Sequence, residues 1–79
     1  MSISATIRMD RNGSKCAAIK VSHERAFSVQ TCGNLRHIHY TYAVGETVDL
    51  AKDPDALFDV RSYVSACGTD RQRAIMQLI

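Results

Sequence analysis

Apolar and polar positions alternate with period two through the first third of the chain. Ile3, Ala5, Ile7 and Met9 alternate with Ser4, Thr6, Arg8 and Asp10, the pattern of a half-buried strand whose side chains point to opposite faces in turn. The run stops at Asp10-Arg11-Asn12-Gly13-Ser14, where Asn-Gly reaches positive φ at little cost and marks a hairpin turn. Ala17, Ile19 and Val21 then alternate with Ala18 and Lys20 as the returning strand. The polar Ser22-His23-Glu24-Arg25 predicts the next turn, a brief helix opened by serine and acid being the alternative. Over 26–31, Phe27 and Val29 oppose Ser28 and Gln30 and predict a third strand, which Cys32-Gly33-Asn34 turns. Over 35–44, Ile38, Tyr40, Tyr42 and Val44 fall on one side and His37, His39 and Thr41 on the other. Their β-branched and aromatic character predicts a fourth strand, and Thr47-Val48-Asp49-Leu50 a short fifth at the sheet edge.

The period changes at Asp53-Pro54-Asp55. An N-cap acid, a proline at the first helical position and a second acid near the positive helix end predict a start there. Leu57, Val60, Val64 and Cys67 recur at helical spacing, with Phe58 and Tyr63 widening the stripe, and Gly68 is placed to end it. Thr69 followed by Gln72 reads as a capping box, with Ala74, Ile75, Leu78 and Ile79 as the apolar side of a second short helix. The expected fold class is α+β: an antiparallel four- to five-stranded meander with two C-terminal helices packed on one face, in a single compact domain over 1–79.

Size and composition narrow the function. A chain of 79 residues buries about 60% of its unfolded surface, which favours a binding surface over an enclosed active site. With 46% hydrophobic and 23% charged residues it is neither disordered, collagen-like nor coiled-coil in character. No stretch approaches the ~18 apolar residues of a membrane helix, and the first residues lack a signal-peptide run, so a cytoplasmic, non-membrane protein is expected. Cys16, Cys32 and Cys67 are scattered and odd in number, unlike a secreted disulfide framework. They are expected as reduced apolar side chains, with one exposed thiol linking two copies on oxidation as the sharper alternative. The expected state is a monomer or a weak, thiol-linked homodimer.

Candidate chemistry is sparse. His37-x-His39 lies at strand spacing and would aim two imidazoles to one side, but a zinc site needs further ligands. His23, Cys16 and Cys32 match no familiar zinc spacing to the pair. Two surface histidines are therefore expected, on an uncovered sheet face with Thr6, Arg8, Ser28 and Gln30. Phosphate-loop, dinucleotide, nucleophile-elbow and metalloprotease motifs do not occur, and four isolated glycines cannot build a phosphate cradle. No nucleophile with a base partner accompanies Asp53, Asp55 and Asp59. The expectation is a non-enzymatic protein with no cofactor.

Charge is blocked along the chain. Residues 1–44 carry six Lys/Arg against two Asp/Glu, net +4; residues 45–60 carry Lys52 against Glu46, Asp49, Asp53, Asp55 and Asp59, net −4; residues 61–79 are net +2. An acidic end on a basic molecule steers a charged partner, so these five acids are the candidate protein-binding residues. The alternative is nucleic acid: Arg71, Gln72 and Arg73 open the second helix and are residue types that read base edges. Against it stand the acids opening the preceding helix, the missing third helix and an isoelectric point near 8.6.

In small size, a meander-plus-helix pattern and the lack of catalytic apparatus, the chain resembles the small phage-encoded anti-CRISPR proteins that block type I effector complexes. The resemblance covers the whole chain in size and character and transfers no site residue. It implies a stoichiometric inhibitor in the cytoplasm of an infected bacterium, bound to the effector complex (Cascade) and preventing target DNA from binding. The acids would then meet lysines and arginines that otherwise hold DNA phosphates.

Overall fold

The computed structural model describes residues 2–29 and 35–78. In chain order the elements are β1 (Ile3–Met9), β2 (Lys15–Val21), β3 (Glu24–Val29), α1 (Arg36–Thr41), β4 (Thr47–Asp49), α2 (Pro54–Cys67) and α3 (Asp70–Gln77). The fold is α+β: the described residues form an antiparallel sheet of four strands in the order β3-β2-β1-β4 and three helices, two of them C-terminal. The alternation read in β1 and β2 sets the register: Ile3, Ala5 and Ile7 pair with Val21, Ile19 and Ala17, so one face is continuously apolar. That face packs on Leu35, Ile38, Leu50, Ala56, Val60, Val64 and Met76 to form the core. Among the described residues no helix packs on the opposite sheet face, as one-sided antiparallel sheets allow.

Both hairpins turn through left-handed backbone. At the first, Asp10 Oδ1 accepts from Asn12 N and Ser14 N and Gly13 has φ +80°. The second turn is tighter than the four polar residues implied. Only Ser22 (φ +54°) and His23 (φ +70°) form it, a two-residue loop of the kind that follows strand twist, and Glu24 and Arg25 already belong to β3. A bulge follows: Lys20 pairs with Arg25 and Ile19 with Phe27, leaving the Ala26 carbonyl outside the ladder, where Arg71 Nη1 donates to it at 3.0 Å.

The strand expected over 35–44 is not formed. Residues 36–41 are α1, and Tyr42 and Ala43 follow it without regular structure. Leu35, Ile38 and Tyr42 lie three and four residues apart, and this helical spacing turns Leu35 and Ile38 into the core and half-buries Tyr42. The helix has no side-chain N-cap of its own. Asp59 Oδ2 on α2 accepts from Ile38 N at 3.0 Å, and Lys15 Nζ donates to the carbonyls of His39 and Tyr42 at 3.1 and 3.2 Å, closing the other end. Because α1 carries the chain across the apolar face, the next strand reaches the free edge of β1. β1 to β3 form the expected meander and β4 joins at β1, where Gly45 N bonds Ile7 O and Leu50 N bonds Ile3 O.

α2 starts as read: Pro54 occupies the first turn and Asp53 accepts from Ala56 N. Its buried stripe is Ala56, Val60 and Val64, with Leu57 and Tyr63 beside it. Phe58 is 69% exposed and Cys67 is exposed, so both stand outside the stripe in which helical spacing places them. Gly68 ends the helix in extended backbone, φ −77°, not in the left-handed form. Glycine is needed for space, since a Cβ would meet Val64 O at 2.6 Å. The Thr69/Gln72 capping box is formed in both directions. Met76 is the buried residue of α3, with Ile75 partly buried, while Ala74 and Leu78 are exposed. Gln30, Thr31, Cys32-Gly33-Asn34 and Ile79 lie outside the described residues.

Candidate functional site

The most connected side-chain cluster lies where α1, the segment after it and the start of α2 meet. Asp53 is its hub. One carboxylate oxygen caps α2, and Oδ2 takes His37 Nε2 at 3.0 Å and the Tyr42 hydroxyl. These donors hold the Asp53 carboxyl down to about 2 from the usual 3.8, Tyr42 contributing most and His37 next. In return, the bond to Asp53 raises the pKa of His37 and that of Tyr42, in each case as the largest cause. Side-chain exposures of 33% for His37 and 20% for Asp53 leave the pair in contact with water, so screening limits its strength.

His37, Asp53 and Asp55 each offer a ligand atom, and these atoms lie within 4.8 Å of one another. Both oxygens of Asp53 already accept hydrogen bonds, and the N-terminal end of α2 carries partial positive charge. The arrangement thus favours a proton on His37 over a metal ion. His37 and His39 do not share a face, because two residues along a helix turn the side chains about 200° apart. The expectation of both imidazoles on the uncovered sheet face is corrected accordingly: they belong to α1, and His39 stacks edge-on against Tyr40 with ring centroids 4.9 Å apart.

The five candidate acids divide by role. Asp53 and Asp59 are half-buried and hold α1 against α2. Glu46 accepts from Ala43 N and Asp49 from Ala51 N, each with one oxygen in its own turn. Glu46, Asp49 and Asp55 are exposed. Asp49 and Asp53 line one groove of ≈ 330 Å³ with Tyr42, Thr47 and Lys52, and the approach of Asp55 to Asp53 extends the acidic surface onto α2. Phe58 is one helical turn from Asp55, on the same side of α2. Helical spacing makes Phe58 a flank of the apolar stripe, and the structure leaves it exposed. The signal that separates it is that Ala56, Val60 and Val64 already fill the inner stripe at four-residue spacing.

The α3 candidates are tied into the molecule. Arg71 caps the bulge carbonyl, Gln72 completes the capping box, and Arg73 donates to Gly68 O at 2.8 Å and pairs with Asp70 at 2.6 Å. Arg73 also borders a groove of ≈ 340 Å³ between α2 and α3, floored by Val64 and Met76. No helix among the described residues is long and apolar enough to cross a membrane. Comparison with protein-family models, curated proteins and solved structures finds no match to this chain.

Proposed function

We propose that this is a non-enzymatic binding protein that presents its acidic end to a basic protein surface. Following the resemblance in size and character, the partner is a type I CRISPR effector complex whose target-DNA channel it occupies. The observation that carries the reading is the continuous surface of Asp49, Asp53 and Asp55 beside an exposed Phe58. Carboxylates fixed by the fold offer charge complementary to residues that hold phosphates, and an exposed aromatic supplies the apolar anchor that protein interfaces use. Asp53 and Asp59 shape this surface from within, whereas Asp49 and Asp55 are free to meet a partner.

The test is an affinity pull-down of tagged protein from a lysate containing the effector complex, with and without nuclease. Retention of effector subunits after nuclease, weakened by joint Asp49→Lys and Asp55→Lys reversal, is expected. Loss of the subunits on nuclease digestion, or undiminished retention by the folded reversal variant, would overturn the reading.

A further inference from the structure

The sheet face that no helix among the described residues covers carries a second, oppositely charged surface. Alternation sends Ser4, Thr6 and Arg8 of β1 and Cys16, Ala18 and Lys20 of β2 to this side, away from the core partners of the same strands. Arg25 of β3 stands directly opposite Lys20, and Arg25 and Arg8 are exposed. Like charges on a directly opposed cross-strand pair, with Cβ atoms about 5 Å apart, disfavour folding. Neither residue forms a salt bridge among the described residues. Arg8 pairs with Cys16, four residues from Lys20, so its row lies about 13 Å along the strands from the Lys20/Arg25 row. Between them the surface is short and hydroxyl-bearing, with Thr6 and Thr47 hydrogen-bonded at 3.0 Å and Ala18 sunk among its neighbours at 4% exposure. Asp49 also lies on this face, two strands away from Lys20.

From this placement we infer that the open sheet face, through Arg8, Lys20 and Arg25, docks the phosphate backbone of double-stranded nucleic acid. Two rows of cations separated by hydroxyls suit phosphate and sugar contacts, which position a protein without reading sequence. Among the described residues the face lacks the aromatic side chains on which single strands stack. It equally lacks the apolar anchor expected for a protein partner; the exposed Phe58 and Tyr40 belong to helices. The surface is distinct from the α3 residues Arg71, Gln72 and Arg73, and it does not rest on the proposed acidic interface.

Anisotropy of a labelled duplex of about 20 base pairs and mixed sequence, titrated with the full chain across a salt series, tests this. Binding with a Kd of about 1–100 μM at low salt is expected, with log K falling against log salt at a slope near −2.7 for three phosphate contacts. Joint Lys20→Glu and Arg25→Glu reversal is expected to weaken binding at least tenfold and flatten the slope, while Lys52→Glu at the acidic end changes little. Lys20→Glu alone is expected to raise the urea midpoint while lowering affinity, because it relieves the opposed like charges. No binding at low salt, equal loss in Lys52→Glu, an unchanged Kd in the double reversal, or equal binding of polyglutamate would overturn the inference.

Discussion

At the scale of single residues, Asp53 links fold and surface. Its carboxylate stays ionised to about pH 2, so the stability it provides is complete above the unfolded value of 3.8 and is lost as pH falls toward 2. His37 has the opposite sign. Its raised pKa, caused chiefly by the bond to Asp53, makes its contribution complete below 6.5 and lost as pH rises through the folded value. Urea midpoints measured at pH 5.5 and 8.5 are expected to fall on the alkaline side in the natural protein, and His37→Gln is expected to remove most of that difference. An unchanged pH dependence in His37→Gln would place the titrating group elsewhere. Asp53→Asn is expected to be milder than Asp53→Ala, since asparagine still caps α2. The hydrogen-bonded cluster was not legible in the sequence, where Asp53 reads as a helix cap and as one acid of the acidic block, because His37 and Tyr42 reach it from 16 and 11 residues away.

At the scale of elements, the readable and unreadable parts separate by what specifies them. β1, β2, α2 and the capping box of α3 are written in local pattern: alternation, a proline after an N-cap acid, Thr69 followed by Gln72. The helix α1 is specified from outside. Alternating Ile38, Tyr40 and Tyr42 satisfies a strand template as well as Leu35, Ile38 and Tyr42 satisfy a helix. The choice is settled by Asp59 at one end and Lys15 at the other, 21 and 24 to 27 residues distant. Six residues do not sustain a helix unaided. Asp59→Ala should therefore expose Ile38 N to hydrogen exchange and cost about 2 kcal/mol, the scale of a lost bond to a charged acceptor. Retained protection at Ile38 would show that α1 stands without it. The Ser22-His23 turn carries the reverse expectation. Both residues sit at positive φ, a conformation that disfavours side chains other than Gly, Asn and Asp. Joint Ser22→Asn and His23→Gly substitution is expected to stabilise the protein by about 1 kcal/mol in urea unfolding, with the sheet register unchanged.

For the whole molecule, with extents of 31 × 24 × 21 Å, the candidate residues among those described lie on surfaces and in open grooves. The blocked charge of the sequence becomes geometry. Acids gather around β4 and the start of α2, and cations stand on the open sheet face. The charge map was legible in the sequence; which acids are spent internally was not, because the donors to Asp53 and Asp59 come from a segment read as a strand. Phe58 likewise needed the packed stripe of α2 to be seen before it could be placed outside it.

Whether the acidic end blocks a basic DNA channel is decided with purified type I effector complex and a labelled target duplex. Retardation of the target is measured as the protein is added, first in natural form and then with Asp49→Lys and Asp55→Lys, or with Phe58→Ala. Loss of target binding near stoichiometric addition, with both variants needing at least tenfold more protein, is the expected result. Undisturbed target binding in the presence of excess folded protein would rule out such a block.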